Sequence, residues 1–211
     1  MFPPVDAVSA TEVHALISPP KLWRRSEVLQ RPTPVPAAAG VYAWWFDELP
    51  ADFSTVGCAQ SGGLTLLYTG ISPKRPPQNG RAPSKGHLRQ RIRTHYTGNA
   101  EGSTLRKTLG CLLSAQLGIE LRRVGSGTRR TFVDGEAELS RWMEDHALVS
   151  WVVHERPWEL EDSAIATLDL PLNLNGNSRN AFYGELKRVR SRCTTQADEL
   201  PIVANPGIGD R

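Results

Sequence analysis

Arg91 and His95 stand four residues apart in LRQRIRTH, so a helix through this stretch projects both side chains from one face. An arginine offers a planar, permanently charged fork of donors, which suits phosphate. Glu161, in WELEDSAIA, is a hard oxygen ligand suited to one Mg²⁺ or Mn²⁺ that keeps most of its waters. Tyr42 in GVYAWWF and Tyr68 in LTLLYTGIS each lie on an apolar run close to a glycine, and Asn173 follows Pro171 in a turn. A cation ligand, a charge clamp and titratable groups are the parts that hydrolysis of a phosphodiester needs. Each residue also has a plainer reading. The tyrosines are half-buried strand aromatics, Arg91 a solvated helix arginine, and His95 a surface or satisfied histidine. Glu161 is then an acid favoured by a helix N-terminus, and Asn173 a turn residue. What separates the two readings is the order of all six along one chain.

Positioning them requires strands and helices in a definite sequence. Prolines punctuate residues 1–36, with one short helix over ATEVHALI. Val41 to Phe46 and Leu64 to Tyr68 read as two strands joined by the loop 47–63. HLRQRIRTHY spaces Leu88, Ile92 and Tyr96 as an amphipathic helix. STLRKTLGCLLSAQLG is a second helix, with Ser103 as N-cap and Gly118 as stop. A basic hairpin follows over 119–133. Then come a helix (GEAELSRWMEDHAL), a strand (VSWVVHE), a helix ended by Pro171, and a last helix, NAFYGELKRVRSRC. This order predicts an α+β domain: a small antiparallel or mixed sheet of about three core strands plus an inserted hairpin, flanked by helices. The expected division is an extension over 1–36, the domain over 37–193, and a frayed tail over 194–211.

Charge narrows the partner. Between Ile71 and Arg130 stand thirteen lysines and arginines against two glutamates. Between Thr131 and Leu170 stand ten acids against two arginines. A basic block of this kind points to a polyanion; internal ion pairs between the two halves are the other reading. The expected nucleic-acid contacts are Lys74, Arg75, Lys85, Arg89, Arg93, Arg106, Lys107, Arg129 and Arg130. Cys58, Cys111 and Cys193 are too scattered for a disulfide framework or a zinc knuckle. They read as reduced thiols, which with the absence of an apolar leader suggests a cytoplasmic protein. No apolar run is long enough to span a membrane, so no membrane partner is expected.

With these residues in order, the chain resembles the GIY-YIG nuclease family from Gly40 to Leu174. Gly40-Val41-Tyr42 matches the first signature and Tyr68-Thr69-Gly70 the second. Leu88, Arg91, Ile92 and His95 match the arginine helix. Glu161, followed twelve residues later by Asn173 after Pro171, matches the glutamate helix and its turn. The resemblance implies that Tyr42 is the general base, hydrogen-bonded to the residue at the His95 position. It also implies that Tyr68 orients phosphate or water, that Arg91 stabilises charge on the phosphate, that Glu161 holds one Mg²⁺ or Mn²⁺, and that Asn173 pins the loop beside it. There are departures. The tyrosines are 26 positions apart, Arg91 lies 21 positions after Gly70, and the lysine that often follows the second signature is Ile71.

The function expected from sequence is therefore a divalent-metal-dependent DNA endonuclease. The alternative on the same scaffold is a non-catalytic nucleic-acid-binding module, and a small-molecule enzyme is a third reading. A double-strand cut by one site calls for a homodimer or for two visits by one molecule.

Overall fold

A computed structural model of the chain describes residues 10–77, 79, 82 and 84–205; Arg81 of the basic block lies outside them. β1 (Gly40–Phe46) is an apolar run in which every residue is buried. A strand covered on both faces reads as such a run rather than as an alternation. It lies inside a four-stranded antiparallel sheet of order β2 (Gln60–Ser61), β3 (Leu64–Ser72), β1, β6 (Ala147–Val153). The basic hairpin, β4 (Arg122–Val124) and β5 (Arg129–Thr131), forms a separate two-stranded sheet.

Register decides where the tyrosines meet. Tyr42 pairs with Gly70 and Trp44 with Tyr68, so both phenols leave the same face of the sheet. On that face Tyr42, Trp44, Phe46 and Tyr68 pack with Leu88, Ile92 and Tyr96 of α3 (Leu88–Thr97). Leu105 and Leu109 of α4 (Thr104–Leu112) and Leu139 and Met143 of α6 (Gly135–His146) complete this core. On the other face Ala43, Trp45 and Leu66 pack against Leu170 and against Ile165 of α7 (Pro157–Thr167).

The N-terminal stretch is woven into this body. α1 (Ala10–Ile17) seats Leu16 against Val41, Leu160 and Ala164. Trp23 exchanges backbone hydrogen bonds of 2.9 and 3.0 Å with Val149, covering the outer edge of β6, and α2 (Arg25–Leu29) buries Val28 in the larger core. Such covering matters because an open strand edge invites pairing with other chains.

Several boundaries differ from the sequence reading. β3 runs on past Tyr68 to Ser72, and α7 stops at Thr167, before Pro171 can end it. The second helix breaks at Leu113 into α4 and α5 (Ser114–Leu117), and Gly118 ends it in a left-handed conformation. β6 begins two residues earlier than expected, at Ala147. α8 (Tyr183–Glu199) runs past Cys193, because Leu186, Val189, Cys193 and Ala197 continue one buried stripe. The stretch expected to fray is thus helical to Glu199. Beyond it, Val203 exchanges backbone hydrogen bonds with Arg123 and Gly125 of the hairpin region.

Candidate active site

The two signature glycines have steric reasons. A Cβ on Gly70 would lie 2.4 Å from the Tyr42 hydroxyl oxygen, so the phenol rests across its cross-strand partner. A Cβ on Gly40 would lie 2.3 Å from the Val152 carbonyl oxygen and 2.7 Å from a Leu88 methyl. The first glycine admits β6 and α3, and the second admits the tyrosine.

α3 brings two groups onto that phenol. The Tyr42 oxygen lies 2.8 Å from His95 Nε2 and 3.3 Å from Arg91 Nε, as their i, i+4 spacing allows. Arg91 Nη1 also donates to the Gly102 carbonyl at 2.8 Å, which fixes the guanidinium plane. His95 is fully buried, and its Nδ1 lies 2.7 Å from Ser103 Oγ. Ser103 Oγ already accepts from the Arg106 amide at 3.1 Å as the N-cap of α4. Among the described residues His95 Nδ1 is the acceptor left for the buried Ser103 hydroxyl hydrogen, since such donors need partners. That assignment, made from the hydrogen-bond network, places the imidazole proton on Nε2, donating to Tyr42. Burial, aided by the charges of Arg91 and Arg106, holds the His95 pKa well below its ordinary value, so the ring is neutral. Sequence inspection named Ser103 only as a cap.

Burial pushes the Tyr42 pKa up to about 12, while the Arg91 charge pulls against it. Burial also raises Tyr68 well above its usual value. Glu161 makes no hydrogen bond or ion pair with a described residue. Burial, with the neighbouring Asp162 charge, raises its pKa to about 7. A carboxyl held from water and without a partner is suited to a cation. Among the described residues no set of three His, Cys, Asp or Glu converges on one point. A metal that keeps most of its waters needs no such set, so the residues fit one divalent ion on Glu161.

Asn173 does not reach toward the phenols. Its amide donates to the Thr69 carbonyl and accepts from the Thr69 amide, both at 2.9 Å. The side chain thus imitates a neighbouring strand on the outer edge of β3, beside Tyr68. Asn177, buried and absent from the sequence reading, donates to the Leu170 and Asn173 carbonyls and holds that turn.

Tyr42, Tyr68, Arg91, Glu161 and Asn173 line one cleft of about 1110 Å³; His95 stands behind Tyr42. Lys74 and Arg75 lie on the cleft wall, and Arg75 pairs with Asp162. Lys85, Arg89, Arg93 and Arg129 are exposed, with Arg89 tied to the Val35 carbonyl. Arg130 pairs with Asp198. Arg106 is a correction. It is fully buried, pairs with Glu136 at 2.7 Å and donates to the His95 and Tyr96 carbonyls, so it cannot contact nucleic acid. Its charge serves the junction of α3, α4 and α6. Part of the basic block is thus spent on internal ion pairs.

A family model described as GIY-YIG catalytic domain matches residues 40–192. No curated protein and no solved structure matches the chain.

Proposed function

Because the chain belongs to the GIY-YIG catalytic-domain family, its function is of the nuclease type, and we propose that it is a divalent-metal-dependent endonuclease hydrolysing DNA phosphodiester bonds. The observation that carries this reading is the convergence on one phenol oxygen. Tyr42 accepts from His95 Nε2–H and faces the Arg91 guanidinium, beside the unpartnered Glu161 carboxyl.

In this reading Tyr42 is the general base. Two donors on its oxygen favour the phenolate, which takes the proton of the attacking water. In the free protein burial keeps Tyr42 a phenol at neutral pH, so the base forms only as positive charge enters the cleft. Arg91 stabilises the charge that grows on the phosphate, and its bond to Gly102 means it need not reorganise. Tyr68 orients the phosphate or water, and Asn173 fixes Tyr68 by clamping Thr69. Glu161 would hold Mg²⁺ or Mn²⁺, which would supply Lewis-acid polarisation of a phosphate oxygen and stabilise the leaving oxygen. Lys74, Lys85, Arg89, Arg93 and Arg129 supply charge for the flanking backbone. No helix among the described residues is long and apolar enough to cross a membrane.

Plasmid nicking with Mg²⁺, with Mn²⁺ and with EDTA tests the reading. Glu161→Gln keeps the shape and removes the charge, so cutting should fall by a factor of about 10² or more while DNA affinity persists. Undiminished metal-dependent cutting by Glu161→Gln removes the metal assignment. A wild-type protein that binds DNA and cuts neither duplex, branched nor single-stranded substrate is the non-catalytic module instead.

A further inference from the structure

Elsewhere among the described residues, buried or half-buried arginines have an acid, a carbonyl or a hydroxyl as hydrogen-bond partner: Arg123 donates to the Ala197 and Leu200 carbonyls and Arg91 to Gly102. Arg106 has Glu136, Arg25 has Glu144 and Arg130 has Asp198. Arg190 breaks that pattern. It sits on α8, is half-buried, and lines the cleft. Among the described residues its guanidinium has no hydrogen-bond or ion-pair partner. Lys107 on α4, next to Arg190 but not itself in the cleft lining, is also half-buried without an ion pair. α4 and α8 pack together through Cys111 and Cys193, and these two cations stand one turn before those cysteines. They are close enough that burial and the Arg190 charge together lower the Lys107 pKa. Tyr68 lies within electrostatic reach of both Arg91 and Arg190.

Neither cation forms an ion pair, although Glu101 lies within electrostatic reach of Lys107, and partly desolvated cations that are not fully matched cost folding energy unless an anion joins them. The fork of Arg190 suits a phosphate, and the Lys107 ammonium suits the same group as a point charge.

We propose that Arg190 and Lys107 form a second phosphate subsite, which takes a phosphodiester next to the scissile one on the same strand. The proposal rests on the reading of the cleft as a phosphodiester site. It also gives the cleft a cation beside Tyr68.

The test is DNA binding by the full chain in EDTA, so that no cutting intervenes, measured by fluorescence anisotropy across a salt series. The probes are one short duplex and its variants, each carrying a single neutral methylphosphonate. Arg190→Gln should bind about 5–10-fold more weakly near 100 mM salt. Its slope of log affinity on log salt should fall by about 1. One or two phosphate positions whose neutralisation weakens the wild type should be silent in Arg190→Gln, while other positions still matter. Lys107→Gln should silence the same positions. Thermal melts check that both variants are folded. In cutting assays Arg190→Gln should raise KM more than it lowers kcat. An unchanged salt slope overturns the subsite, as does an affinity loss equal at every neutralised phosphate. The outcomes separate from those of the nuclease reading. A protein that maps this subsite and cuts nothing loses only the nuclease reading, and one that cuts with Arg190 silent loses only the subsite. A wild type that binds no DNA loses both.

Discussion

The Tyr42 oxygen shows how much depends on one proton. Its reactivity rests on which ring nitrogen of His95 carries the proton, and that is set by Ser103, a residue that does not touch the phenol. Ser103→Ala removes the hydrogen bond that fixes the tautomer. The cutting rate should then depend on pH differently. The rising limb, which follows Tyr42 ionisation, should move up by about one pH unit, because one donor to the phenolate is no longer assured. The deficit should therefore shrink as pH rises, and Ser103→Thr should restore the wild-type profile. Loss of the α4 cap alone would lower the melting temperature, by about 1 kcal/mol of stability, and leave the limb in place. A pH–rate series on the three proteins checks this.

Among the elements, α3, α4 and α6 meet at the Arg106–Glu136 pair. Glu136 Oε1 accepts from the Ala100 and Phe132 amides, and its other oxygen takes the guanidinium. Arg106 in turn satisfies the last carbonyls of the helix that carries Arg91 and His95. Arg106→Met leaves the Glu136 charge with less compensation in a largely buried place, which typically costs about 3–5 kcal/mol. Chemical denaturation should show a loss of that order. The salt slope of DNA binding should not change, since Arg106 lies beneath the surface. A flattened slope without destabilisation would return Arg106 to the nucleic-acid footprint. The sequence held the signals for this pair, a cation inside an apolar helix and a glutamate at the next helix start. It did not hold the distance between them.

For the whole molecule, Glu161 makes folding itself respond to pH. Its folded pKa of about 7 lies above the ordinary carboxyl value. As pH rises from about 4.5, the unfolded chain releases this proton while the folded chain keeps it until about 7. The folded state then binds more protons, so stability falls across that window. In EDTA, wild-type melting temperature should carry a downward contribution from pH 4.5 to 7 that Glu161→Gln lacks. At pH 7 the variant should be the more stable of the two. Mg²⁺ or Mn²⁺ at pH 7 should raise the melting temperature of the wild type and leave Glu161→Gln unmoved. Melts of both proteins across this range, with and without metal, check the sign. Parallel curves in EDTA would show that Glu161 is solvated like any surface acid.

The sequence by itself determined what local chemistry can determine. Leu88, Ile92 and Tyr96 fixed the buried face of α3, and that face placed Arg91 and His95 together. Ser103 and Gly118 marked helix ends because caps are local devices. The α+β order and the family followed from short motifs in sequence. The tertiary structure decided everything that depends on who faces whom. Strand register, a long-range property, laid Tyr42 across Gly70. The turn after α7 made Asn173 a partner of Thr69. Helix packing buried Arg106 with Glu136 and left Arg190 beside Tyr68 without an acid. A charge has the same letter whether it is matched or free, and only the folded chain supplies or withholds its counter-ion.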